Sequence, residues 1–187
     1  MEVIVKTIYE GHLYAVQYGN RGDNEMDRLF DEWNDMETVY NFMVENEKEL
    51  QRETWRKTNT PLLAAKKVTI EAEELEDIIY ELCKNSEEGR TPDLDSLFQY
   101  LEGKYRGIYQ LVPTKSYGPD KPSMLRLYAI KIEPNVYLIT GGGIKLADTI
   151  QNSPGLKDHV IQNIDRVREW LREQGIEDKE DLIQAQN

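Results

Sequence analysis

Two strand-like runs, LRLYAIKI at 125–132 and VYLIT at 136–140, are separated by only Glu133-Pro134-Asn135, and this pairing narrows the possible folds more than any other feature. Runs rich in β-branched, aromatic and alternating residues, joined by turn-forming side chains, zip into neighbouring antiparallel strands. An earlier run at 108–112 predicts a third strand, and Pro113 to Pro122 reads as an exposed loop with two prolines and a glycine. The N-terminus adds a hairpin: Val3, Val5 and Ile8 alternate, Glu10-Gly11 turns the chain, and Leu13, Ala15 and Gln17 oppose Tyr14, Val16 and Tyr18.

Between these strand regions the period becomes helical. Leu29, Trp33, Met36, Tyr40 and Met43 fall at steps of four and three, which predicts one amphipathic helix over 25–51 with these residues facing inward. Thr60-Pro61 has the form of an N-cap followed by proline in the first turn, opening a second helix to about residue 84 with Leu75, Ile78, Ile79, Leu82 and Cys83 inward. On that helix Glu71, Glu73, Glu74, Glu76 and Asp77 read as the wet face. Leu94, Leu97, Phe98 and Leu101 suggest a short third helix. A closing helix over 156–174 carries Val160, Ile161, Ile164, Val167, Trp170 and Leu171, with Gly175 at its C-cap and a frayed tail beyond.

These elements predict an α+β fold: an antiparallel sheet of four to five strands with helices packed on one side. A single domain over 1–187 is expected, divided softly into a hairpin plus acidic helical part (1–103) and a basic sheet with its closing helix (104–175). The division is electrostatic. Residues 1–100 carry 11 basic and 23 acidic side chains, while 101–187 carry 12 of each, so the whole net charge of −12 lies in the first part. Between residues 104 and 145 the cations Lys104, Arg106, Lys115, Lys121, Arg126, Lys131 and Lys145 face only Asp120 and Glu133. Such a run on an acidic chain points to an anion site. With one cysteine, no apolar run of membrane-spanning length and no signal-like opening, the expected setting is the reducing cytoplasm, away from membranes.

Candidate chemistry concentrates in the same stretch. Arg126, Tyr128 and Ile130 share one face of their strand, where a guanidinium beside a phenol ring suits a ribose-phosphate chain: one for phosphate, one for base stacking. The alternative is a solvated face whose long side chains cover apolar surface. GGGIK (141–145) follows a strand as phosphate-cradling loops do, yet it matches neither GxxxxGKS/T nor GxGxxG, and a strand end needing close backbone approach explains it more simply. His12 and His159 lack partners at ligand spacing, so no metal and no cofactor is expected. Cys83 reads as core. Trp33 and Trp170 sit on apolar stripes, whereas Trp55, between helices, is expected to be exposed.

From residue 97 to about 174 the order of features resembles the RelE/HigB superfamily of bacterial toxins. Tyr105-Arg106-Gly107-Ile108-Tyr109 resembles that family's first antiparallel strand, Leu125-Arg126-Leu127-Tyr128 its arginine-bearing strand, and VYLITGGGIKL the strand that runs into a basic patch. The resemblance implies a RelE-like core with a helical N-terminal elaboration. It also implies an mRNA endoribonuclease, or a degenerate RNA-binding relative, acting on RNA or the ribosome and neutralised by an antitoxin protein. On that basis Arg126 and Lys145 would be the catalytic cations around the scissile phosphate, with Arg106 or Lys131 assisting and Tyr128 contacting RNA. The rival expectation is a non-enzymatic protein–protein interaction module whose basic sheet face docks an acidic partner.

Overall fold

A computed structural model describes residues 2–20, 22–101, 110–156 and 159–186. Strands β1 (Val3–Tyr9) and β2 (Leu13–Tyr18) form the expected hairpin, with Gly11 in the turn at a φ of 80°. Leu13 and Ala15 are buried on one side of β2, and Tyr14, Val16 and Tyr18 on the other. A strand buried on both faces needs a layer above and below it.

Helix α1 (Glu25–Asn34) begins where the Asn24 side chain accepts hydrogen bonds from the Met26 and Asp27 amides. The single helix expected over 25–51 is in fact broken at Asp35. That residue ends α1 and caps α2 (Met36–Glu45), accepting from the Glu37 and Thr38 amides. The break rotates the inward face: Val39 and Met43 are buried, while Met36 and Tyr40 are 39% and 40% exposed. Two short 3-10 turns, Glu49–Gln51 and Glu53–Trp55, lead to α3 (Pro61–Glu87), whose N-cap Thr60 accepts from the Leu63 amide. A single turn of helix, α4 (Leu94–Leu97), and a two-residue strand, β3 (Gln99–Tyr100), follow.

Strand β4 (Val112–Tyr117) begins on the last residue of the expected third strand and, from Pro113 on, occupies residues expected to form a loop. Pro113 fits because a strand residue's N–H and C=O point to the same side. Its carbonyl accepts from Leu101 just beyond the end of β3, so the missing N–H falls where no ladder partner needs it. Residues 108 and 109 of the expected strand lie outside the described residues. Strand β5 (Leu125–Glu133) turns through Asn135 into β6 (Val136–Ile144). The glycines do not stop this strand: Gly141, Gly142 and Gly143 pair with Tyr128, Leu127 and Arg126. Gly142 and Gly143 are small because neighbours press on them. A Cβ on Gly142 would lie 2.5 Å from the Arg126 carbonyl oxygen and 3.0 Å from Leu29, and one on Gly143 would lie 2.7 Å from the Gly155 oxygen.

The closing helix, α5 (Val160–Glu173), buries Val160, Ile164, Val167 and Leu171 as its period predicts, and Gly175 follows it at φ +67°. The tail is not frayed. Asp178 caps α6 (Lys179–Gln184), and Ile176 and Leu182 are buried.

The sheet among the described residues has six strands in the order β1-β2-β6-β5-β4-β3. It is mixed rather than purely antiparallel, since β2 runs parallel to β6 with Leu13 opposite Tyr137. Helices cover both faces instead of one. Helices α1, α2 and α3 pack on Leu13, Ala15, Leu125, Leu127 and Ile139, while α5 and α6 pack on Tyr14, Val16, Ile130 and Leu138. Period-two alternation with apolar residues at both parities is the sequence signature of that arrangement. No helix among the described residues is long and apolar enough to cross a membrane.

Candidate anion-binding site

At the start of β5 the register sets Arg126 beside Tyr117 of β4, so both side chains leave the same face. The guanidinium stacks on the phenol ring, 4.0 Å from guanidinium carbon to ring centroid. Its Nη1 donates to the Ser123 carbonyl at 2.9 Å and to the Leu125 carbonyl at 2.7 Å. These neutral acceptors orient the group without cancelling its charge. Burial pulls its pKa below the usual value, opposed by the nearby Tyr117, Tyr128 and Glu71.

Two further cations lie close by: Lys115 against the same ring, and Lys145 near enough for its charge to act on the Tyr117 hydroxyl. Lys115, two residues before Tyr117 on β4, places Nζ 5.4 Å from its centroid. Lys145, just after β6, donates from Nζ to the Asp148 carbonyl at 2.8 Å. Burial lowers the Lys145 pKa, and the charges of Arg126 and Lys115 lower it further. Burial alone would raise the Tyr117 hydroxyl, but the Lys115 hydrogen bond and the charges of Lys115, Arg126 and Lys145 outweigh it and hold the group below the usual phenol value. Among the described residues, none of Lys115, Arg126 and Lys145 forms an ion pair with a carboxylate. Asp148, whose charge acts on Lys145, reaches Arg52 at 3.4 Å, and Asp120 reaches Lys67 at 3.7 Å.

Arg126, Lys145 and Tyr117 open onto a cavity of about 690 Å³, whose other walls include Trp55, Leu97 and the 118–123 loop. Trp55 was expected to be exposed; it is 5% exposed, and its Nε1 donates to the Leu146 carbonyl at 2.8 Å. That bond ties the turn after α2 to the segment carrying Lys145. Behind the 118–123 loop lies Glu71 of α3, which is fully buried rather than on a wet face. Its position three residues after Val68 and four before Leu75 places it on the inner stripe of the helix, a signal present in the sequence.

The remaining candidates disperse. Lys131 leaves the opposite face of β5 from Arg126 and is neutralised by Asp95, whose Oδ1 lies 3.0 Å from its Nζ and also accepts from the Tyr137 hydroxyl and the Asn135 amide. Tyr128, expected as a stacking platform, is 1% exposed and packs with Leu156, Val160 and Ile164, so its ring offers no face to a base. Arg106 lies outside the described residues. The triplet Gly141–Gly143 is strand rather than a phosphate-cradling loop. His12 sets Nδ1 2.9 Å from the Asn135 carbonyl, and His159 stands at the start of α5. No group of three or more histidine, cysteine or carboxylate side chains fit for a metal occurs among the described residues. Burial pushes the Cys83 thiol up to about 12, which keeps it protonated and inert.

A second cavity, about 330 Å³, lies on the other side of the glycine strand beside Tyr18, Glu25, Arg28 and His159. Its arginine is clamped: Nε and Nη2 each donate to a Glu25 oxygen at 2.9 Å, and Nη1 reaches Glu32 at 3.0 Å. Compared with protein-family models, with curated proteins and with solved structures, the chain finds no match.

Proposed function

We propose that this chain is a RelE/HigB-like protein of a bacterial toxin–antitoxin type system that acts on RNA, gripping the backbone phosphate with Arg126 and Lys145 and drawing on Lys115 for additional charge. The observation that carries this reading is that Arg126 and Lys145 line one cavity with Tyr117 while Lys115 lies against the same ring, none of the three cations forming an ion pair among the described residues. Element order lends some support: strands β3 to β6 pair antiparallel and lead into helix α5, while the strand that the resemblance places at 105–109 lies outside the described residues. In such a cleavage the 2′-hydroxyl attacks the adjacent phosphorus and gives its proton to water, while the bond to the 5′-oxygen of the next nucleotide breaks and that oxygen takes a proton from water. The preorganised cations of a partly buried site stabilise the negative charge that develops on the phosphorane. Burial strengthens each cation's field on a bound anion, and mutual repulsion among the cations is relieved when the anion arrives.

Expression in a bacterial host tests the reading. Growth arrest is expected, relieved by Arg126→Ala or Lys145→Ala. Toxicity unchanged by both substitutions removes these residues from the mechanism. Harmless expression favours the rival, a non-enzymatic interaction module, for which α2 offers a specific feature: Met36, Tyr40 and Val44 form one exposed apolar stripe at successive steps of four.

A further inference from the structure

Behind the 118–123 wall of the cationic cavity lies a group that phosphate binding does not itself require. Glu71 is 0% exposed, and neither carboxylate oxygen has a hydrogen-bond partner of good geometry. Its closest charge is the Lys67 ammonium one helical turn earlier, at 3.4 Å, which is shared with Asp120 in the loop above. That loop seals it in. A Cβ on Gly118 would collide with Glu71 Oε1 and lie 2.5 Å from the Ser123 hydroxyl, so the chain passes directly over the carboxyl group. The same loop wall continues to Ser123, whose carbonyl accepts from Arg126. One short path therefore links a buried acid, the loop that roofs it and the guanidinium facing the cavity.

We propose that Glu71 is the positioning residue of the anion pocket: its carboxyl group supports the 118–123 loop that aims Arg126, and gaining or losing its proton switches the pocket between strong and weak grip. The inference rests on the reading of this cavity as the anion site. The groups facing Glu71 are Lys67 on its own helix, Asp120 in the loop and Arg126 on β5. In the neutral form, Glu71 leaves the positive field of Arg126, Lys145 and Lys115 unopposed. Once ionised, it adds negative charge behind the pocket wall and stands in a site with too few donors, which strains the loop over it. Burial raises its pKa, against the pull of the Ser123 hydroxyl and the Lys67 charge. The switch is therefore displaced toward neutral pH from the ordinary carboxylate range.

The test is calorimetric binding of inorganic sulfate, whose own charge is constant in this window, to the full chain from about pH 5 to about pH 8. Wild-type affinity is expected to fall severalfold as pH rises, while Glu71→Gln binds with a flat profile at the tight level. Glu71→Met, which has similar bulk and no titrating group, gives the same flat profile and covers a failure of the first variant to fold. An identical pH profile in wild type and either variant overturns the proposal, as does a variant that is weak at every pH. Absence of sulfate binding by the wild type at all pH values overturns both this inference and the anion site itself. A pH-dependent, Glu71-controlled grip on sulfate in a protein without effect on RNA leaves the inference standing and removes only the RNA reading.

Discussion

Arg28 and Arg126 sit beside the two cavities that flank the glycine strand, and their surroundings differ in one respect that decides what each can do. Arg28 donates to Glu25 and Glu32, and the Glu25 hydrogen bond raises its pKa. Arg126 donates to two backbone carbonyls, and burial lowers its pKa. A guanidinium saturated by carboxylates is a brace; one oriented by neutral dipoles keeps its charge for a ligand. The comparison teaches that a count of cations along the chain says little until each has been matched against its acids. Of the described basic residues in the 104–145 stretch, Lys131 belongs with Arg28, Lys115, Arg126 and Lys145 cluster near Tyr117, and Lys121 lines the same cavity from its loop.

Substitutions can break or sharpen this contrast. The largest effect is expected at Arg126→Ala, which should weaken anion binding about a hundredfold at a stability cost of about 1 kcal/mol for the lost carbonyl hydrogen bonds. Arg28→Ala should cost more, about 2 kcal/mol of stability, by stranding the buried Glu25 with little change in binding. Exposure of Arg28 keeps that loss below the range for a fully buried pair. Equal losses of binding in the two variants would erase the distinction, and chemical denaturation alongside calorimetry would reveal it. Lys145→Ala should weaken binding about tenfold, less than Arg126→Ala because its ammonium carries no ring contact and is held by only one carbonyl.

Stability against pH offers a third contrast. The folded pKa of Glu71 is raised by burial, so the folded state holds this proton more tightly than the unfolded chain does. Its contribution is fully present below the unfolded value and is lost as pH rises through the folded one. Glu71→Gln should therefore stabilise the protein by about 1 kcal/mol at neutral pH, with the gain disappearing in acid. A gain that is independent of pH would mean that the carboxyl group does not titrate as described. The smallest effect belongs to Lys131→Ala: binding unchanged and stability lower by about 0.5 kcal/mol, as befits a partly exposed ion pair.

Local features were readable in the chain where short-range physics decides them. The β5–β6 hairpin, the Thr60-Pro61 helix start and the stripe on α5 each follow from neighbours within a few residues. The parallel pairing of β2 with β6 was not readable, because it joins segments separated by the whole helical block. Strand β4 was hidden because Thr114 and Ser116 oppose Lys115 and Tyr117, leaving no apolar alternation to signal it, and with β4 went the ring at the centre of the site. Lys131 could not be told from Arg126 by sequence, since its neutralising partner Asp95 lies far upstream on α4. Asp35 is the counter-example: a capping residue between two helical patterns was visible, yet the continuous 3–4 spacing of Trp33, Met36 and Tyr40 masked it.

The salt dependence of single-stranded RNA binding tests the central claim most directly. If Arg126 and Lys145 each neutralise a phosphate, the slope of log affinity against log salt should be shallower by about 1.4 in the Arg126→Ala/Lys145→Ala double variant than in the wild type, at roughly 0.7 per contact. Equal slopes in the two proteins, or wild-type binding indifferent to salt, would contradict it.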